Sequence, residues 1–286
     1  MNFSDFIDKA FNFDDYAQLL PLVYNSLIAG AVLGIVGGLI GIFIMMRDMA
    51  FAVHGIAELS FAGAAFALLI GADVVTGSVL GSLIAALILG FLGTRARDRN
   101  SITGVLMPFG LGLGILFLSL YEGRSANKFG LLTGQIVAVD NLQLTGMLVL
   151  SLVVVLALIL VWRPLTFASV DPVVANARGV RTSGLSIFFM VILALAVAVT
   201  IQVVGALLVL ALLITPAAAA MRVTSNPVLT VVLSIAFAEL AVVGGILLAL
   251  AGALPISPYV TTISFLIYVI CRGIEYVRSP RRRHQV

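Results

Sequence analysis

Charge is what this sequence has least of. Only 10% of its 286 residues are Asp, Glu, Lys or Arg, against about a quarter in an ordinary soluble domain. Hydrophobic residues make up 62% and mean hydropathy is +1.20, which excludes a soluble globular enzyme. The single cysteine, Cys271, excludes an internal disulfide and any multi-cysteine metal site. It reads as a small apolar residue near a helix end. Lysine is confined to Lys9 and Lys128, and no GxxxxGK[ST] phosphate loop occurs, so the chain has no recognisable nucleotide site of its own. Residues 1–20 are acidic and lack a sustained apolar run, so no cleavable signal peptide is expected. The alternating pattern of a membrane barrel is absent too.

What remains is a series of apolar runs, each near the roughly 20 residues that a helix needs to cross a bilayer. The sequence predicts an all-α polytopic membrane protein with about nine transmembrane helices, eight being the alternative. Spans are expected near 22–46, 49–70, 74–93, 102–120, 143–161, two within 185–221 broken near Thr200-Ile201-Gln202, 228–251 and 258–271. Small-residue spacings such as Gly34/Gly38 and Gly37/Gly41 fit close helix packing, and Gly110, Gly112 and Gly114 read as packing or a kink. Trp162-Arg163 reads as an interfacial anchor ending the fifth span. Pro216 within a span suggests a kink.

Nine spans put the N-terminus outside and the C-terminus in the cytoplasm. Thirteen arginines then fall on the cytoplasmic side, against Lys9, Arg124 and Lys128 opposite, the positive-inside pattern. That asymmetry explains the pI of about 9.3 better than nucleic-acid binding does. The expected organisation is an amphipathic segment over 1–21, one transmembrane domain over 22–271 with a cytoplasmic loop at 163–184, and a basic tail over 272–286.

Within the second span, RDMAFAVHGIAELSFAGAAFALLIG carries His54 and Glu58 four residues apart. On a helix that spacing puts both on one face, together with Arg47, Phe51 and Ala62. Ionisable groups at membrane depth are costly unless they line a cavity or find partners. An imidazole and a carboxylate on one face form a small cation-binding unit, or else a helix-interface ion pair. Glu239, mid-span in AFAELAVVGG, either lines the same path or bonds a neighbouring helix. Asp48 reads as a local partner of Arg47; Asp73 and Asp140 read as solvated loop charge.

In the 163–184 loop, Asp171-Pro172 reads as a helix start, with Asp as N-cap and Pro at the first helical position. Val173 to Arg178 then make about a turn and a half, and Gly179 supplies a stop. A short capped helix between long spans has the form of a docking element, or of an ordinary interfacial helix.

Four stretches, GLIGIFIMMRDMAFAVHGIAELSFAGAA, FGLLTGQIVAV (129–139), DPVVANARGV (171–180) and VVGALLVLALLITPAAAAMR (203–222) with LPISPYVTTI (254–263) after it, make the chain resemble the permease subunit of metal-importing ABC transporters. That family serves zinc, manganese and iron(II). One departure stands out. Where the family usually has an aspartate followed four residues on by a histidine, this chain has His54 followed by Glu58, and Ala62 replaces the proline of that motif. The resemblance implies a bacterial plasma-membrane homodimer carrying Mn²⁺ or Zn²⁺ as cargo by alternating access, with no permanently bound cofactor. It implies a cytoplasmic ATPase docking at Asp171, Pro172, Val173, Ala175, Arg178 and Gly179, and an extracytoplasmic metal-binding lipoprotein. His54 and Glu58 would be the metal ligands, with Glu239 a further candidate. The permease itself would be no enzyme. Competing readings are a proton-coupled secondary transporter using Glu58 and Glu239, a siderophore- or vitamin-type ABC permease, and a non-transporting scaffold.

Overall fold

The computed structural model describes residues 16, 20–93, 96–123, 139–205, 208–251 and 256–278. All regular elements among them are helical. They are α1 (Tyr24–Met46), α2 (Ala50–Leu69), α3 (Val74–Leu92), α4 (Ala96–Leu120), α5 (Asn141–Val170), α6 (Pro172–Ala177), α7 (Thr182–Val204), α8 (Val209–Leu213), α9 (Thr215–Val223), α10 (Pro227–Leu250) and α11 (Ile256–Arg278). Eight of these are long and apolar enough to cross a membrane, and Val209–Val223 is a shorter apolar segment. Of the stretches that carry the resemblance, GLIGIFIMMRDMAFAVHGIAELSFAGAA and DPVVANARGV lie wholly within the described residues, whereas 124–138, holding most of FGLLTGQIVAV, and the tail from 279 lie outside them. So does most of the expected amphipathic segment.

Glycine decides how closely these helices approach. In α1, Gly30, Gly34 and Gly38 meet Val242, Glu239 and Ile235 of α10, while Gly37 and Gly41 meet Leu212 and Ala217. One helix therefore offers two adjacent smooth faces to two neighbours. The same device seats α2, whose Gly63 packs on Gly77 and Gly81 of α3, whose Gly55 meets Thr103, and whose Glu58–Leu59 backbone lies on Gly110 of α4. Of the glycine triplet, Gly110 and Gly114 are packing positions, the latter against the Phe61 ring, and Gly112 faces open space. Thirteen of the twenty residues of α2 are buried. It is the centre of its half of the bundle.

Contacts sort the helix ends into two sets. At one end Asn25 Nδ2 donates to the Val139 carbonyl (3.1 Å) and to Asn141 Oδ1 (2.9 Å). At the other, Arg47 Nη1 donates to Ser169 Oγ (3.4 Å) and Arg278 Nη1 to the Val223 carbonyl (3.3 Å). The helices alternate between these ends, so the described chain starts at one and finishes at the other.

The 185–221 run, expected as two tight spans, forms one long helix, a break, and two short helices. The break falls at Gly205, whose φ is +80°, rather than at Thr200–Gln202. Glycine takes that backbone conformation without the Cβ penalty. Past it, Leu212 lies beside Gly37 and Ala217 beside Gly41, so α8 and α9 run parallel to α1 and reach its far end. Fifteen residues span about 22 Å as helix, short of the roughly 30 Å hydrocarbon core. The pass is made by a broken element. Pro216 opens α9 near its first turn instead of kinking a continuous span.

Two further boundaries differ from expectation. The fifth helix continues past Trp162 to Val170, with Pro164 inside it. Thr166 and Ser169 return their hydroxyls to carbonyls four residues back (2.8 and 2.6 Å), which satisfies polar groups that read as loop. Trp162 is half-buried and packs edge-on against Phe43, centroids 4.8 Å apart, so it is no terminal anchor. The last helix likewise runs to Arg278, taking in residues expected in the tail.

Candidate metal centre

The turn before α2 is built for a fixed start. Asp48 adopts φ +52°, and Arg99 Nη2 donates to the carbonyls of Arg47 (3.2 Å) and Asp48 (3.1 Å). Arg99 is only 7% exposed and clamps α4 onto the turn that launches α2. Nothing local in the sequence marked it; it read as one of several loop arginines. Arg47 leaves the face on which it was expected. Its guanidinium lies over the Phe189 ring, 5.5 Å from the centroid, and burial, then the neighbouring Arg99, pull its pKa below the ordinary guanidinium value.

One turn into α2, His54 Nε2 approaches Glu58 Oε1 at 3.7 Å, with the Glu58 side chain 9% and the His54 side chain 27% exposed. The distance is long for a hydrogen bond, and His54 Nδ1 and Glu58 Oε2 are buried with no hydrogen-bond partner. Buried polar atoms without partners are rare and costly. A divalent cation would satisfy such a set, since imidazole nitrogen and carboxylate oxygen both ligate first-row metals. His54 opens into a groove between α2 and the broken pass, lined by Phe51, Leu210, Ala211, Ile214 and Thr215. Phe51 was expected on the His54 face, but the groove residues of the broken pass were not anticipated as part of the site. Their signal was the break itself, because interrupted helices mark substrate paths in transporters.

Glu239 stands apart from the pair. Its carboxyl packs against Gly34 on the α1–α10 seam, and Oε1 is buried without a partner. Among the described residues no group of three His, Cys, Asp or Glu side chains could hold one metal ion. One chain therefore brings together two of the three candidate ligands.

The short helix after Asp171 has its expected capped form. Asp171 Oδ1 accepts from the backbone amides of Val173 (3.0 Å) and Val174 (2.9 Å), and Pro172 occupies the first turn of α6. Gly179, at φ +87°, ends it, with Val180 donating to the Ala175 carbonyl (3.0 Å). Val173 is 77% exposed and Arg178 is exposed, whereas Ala175 is fully buried. Ala175 anchors α6 against the bundle, and the exposed side chains of that helix are those around it.

Residues 20–273 match the ABC 3 transport family. The chain belongs to that family. It is 32% identical over 234 residues to the manganese transport system membrane protein MntC of Halalkalibacterium halodurans, covering 81% of this chain and 80% of that one. It is 27% identical over 272 residues to the manganese import system permease protein ScaB of Streptococcus parasanguinis, covering 95% of each. Among solved structures, PsaBC from Streptococcus pneumoniae in complex with Fab aligns with a TM-score of 0.80 at 26% identity, covering 89% of this chain and 94% of that one. The resemblance to metal-importing ABC permeases is borne out. This ABC 3 permease is a multi-pass protein of a bacterial plasma membrane and a transport subunit, and family membership sets aside the secondary-transporter and scaffold readings.

Proposed function

We propose that this permease imports a divalent transition-metal ion, Mn²⁺ before Zn²⁺, past His54 and Glu58. The observation that carries the reading is the unsatisfied pair on α2, buried yet open to a groove. The relatives named for manganese favour that metal. A nitrogen and a carboxylate from each of two copies around a two-fold axis give an N₂O₂ set, which water completes for Mn²⁺ and which alone suits tetrahedral Zn²⁺. Glu239 enters as a second carboxylate that meets the path when the α1–α10 seam moves.

The arginine-rich end, with Arg47, Arg99, Arg178, Arg181, Arg222 and Arg278, is the cytoplasmic end under the positive-inside rule. A separate ATPase docks there on Val173, Val174 and Arg178 of the α6 loop, and an extracytoplasmic binding protein delivers the ion at the opposite end. ATP binding to the partner shifts α6, rocks the helices tied to it, and exposes the His54–Glu58 groove to each side in turn.

The test is radiolabelled Mn²⁺ and Zn²⁺ uptake in cells lacking other importers, with the candidate ATPase and binding protein co-expressed. Glu58→Gln and His54→Ala are each expected to lower uptake at least about tenfold while the complex still assembles. Normal uptake by both variants overturns the assignment of the path.

A further inference from the structure

A cavity of about 600 Å³ opens at the arginine-rich end between α1, α5, α9 and the start of α10. It takes no part in the metal path. Its body is apolar, walled by Ile42, Phe43, Trp162 and Val231, and its mouth is polar, with Arg222 and Thr224. Around that mouth three guanidiniums meet a single carboxylate. Arg222 and Arg272 share Glu275, at 3.4 and 2.7 Å, and Arg278 is tied to the carbonyl of Val223, which also lines the cavity. Three positive charges against one negative leave a surplus of two.

The surroundings narrow the occupant. The outer faces of α5 and α11 carry exposed Leu152, Leu156, Ile159, Phe265, Leu266 and Ile270, the apolar surface that a bilayer covers. The cavity therefore sits at one edge of the apolar belt, with a greasy interior directed into it and surplus positive charge at the rim. We propose that it binds an anionic phospholipid, one acyl chain lying along Phe43 and Trp162 and the phosphate held by Arg222 with Arg272. Basic residues at a membrane surface favour anionic headgroups, and an aromatic-lined slot is suited to a chain because it excludes water without demanding hydrogen bonds. Wedged between α1 and α9, the lipid would brace the short broken pass against the first helix. The inference is independent of which ion the permease carries.

Trp162 is the only tryptophan in the chain, so its fluorescence reads this cavity alone. The full-length chain is reconstituted into phosphatidylcholine vesicles containing equal fractions of either phosphatidylglycerol or phosphatidylcholine brominated on its acyl chains. Brominated phosphatidylglycerol is expected to quench Trp162 with a constant about fivefold larger than its neutral counterpart, and high salt should shrink the difference. Arg222→Gln should abolish the headgroup preference. Val231→Phe, which narrows the slot without touching charge, should lower quenching by the anionic lipid toward the neutral level. Equal quenching by the two headgroups overturns the proposal, as does a preference that survives both substitutions. Loss of all quenching on adding the ATPase, with no prior headgroup preference, would give the cavity to that partner instead.

Discussion

Gly34 and Glu239 stand 205 positions apart in sequence, yet each explains the other. A Cβ at position 34 would lie 2.6 Å from Glu239 Oε1 and 3.3 Å from the Glu239 backbone nitrogen. The glycine makes room for a carboxyl inside the helix bundle, and Gly34→Ala should cost about 1–3 kcal/mol by overpacking. Truncating the carboxyl as well, in the double variant with Glu239→Ala, relieves the nearer contact. The two changes should therefore couple by at least about 1 kcal/mol in thermal unfolding of the detergent-solubilised protein, and strict additivity would refute the steric account. Glu239 itself was legible, because a lone carboxylate in an apolar run is conspicuous. Its partner was not, since nothing at Gly34 distinguishes it from the neighbouring glycines. The same holds for Arg99, whose two carbonyl acceptors lie 51 and 52 residues away. His54 and Glu58 were legible because their coupling is local, one helical turn, and the groove that opens onto them was not, because its far wall, Leu210, Ala211, Ile214 and Thr215, comes more than 150 positions later.

Two helix starts of the same chemistry sit at opposite ends of the bundle and allow element and function to be separated. Asp73 caps α3 by accepting from the amide (2.8 Å) and hydroxyl (2.7 Å) of Thr76, as Asp171 caps α6. Either Asp→Ala change should remove about 1 kcal/mol of local helix stability. Only Asp171→Ala should uncouple transport, lowering metal uptake per ATP hydrolysed severalfold, because only α6 lies at the end assigned to the ATPase. Paired uptake and hydrolysis assays on the two variants decide this, and a matching loss in Asp73→Ala would mean that the effect is one of general stability. The Thr76 hydroxyl, more than any other cause, holds the Asp73 pKa below the ordinary carboxylate value. A depressed folded pKa makes the cap's contribution complete above the unfolded value of about 3.9 and lost as pH falls through the lower folded one. The stability difference between wild type and Asp73→Ala should therefore be constant at neutral pH and narrow only in strong acid. The start of α6 was readable from Asp171-Pro172 and its end from Gly179, whereas Asp73, the cap of α3, read as solvated loop charge. The end of α5 was not readable: the helix runs on through Thr166 and Ser169, whose hydroxyls bond within it, a choice that composition alone does not reveal.

At the scale of the whole molecule, the number of passes follows from registry rather than from helix length. Among the described residues eight helices satisfy length and hydropathy, and an even number of passes would return both termini to one side. The broken pass changes the parity. Leu212 and Ala217 track Gly37 and Gly41 of α1 in the same direction, and Val223 arrives where Arg278 ends, so the first and last long helices begin and finish at opposite ends. Hydropathy could suggest the ninth pass from the length of 185–221 but not its form, since Gly205 and Pro216 divide a run that is uniformly apolar. The single native cysteine makes the topology testable. In a Cys271→Ala background, Leu142→Cys (84% exposed) and Tyr276→Cys (78% exposed) lie at opposite ends of the bundle. An impermeant maleimide added to intact cells should modify Leu142→Cys and reach Tyr276→Cys only after the membrane is opened. Modification of both in intact cells would restore the even count and move Arg222, Arg272 and Arg278 to the outer face, against the charge asymmetry of the chain. The reverse order of labelling would keep the nine-pass bundle and invert it, placing α6 outside, where no ATPase could reach it.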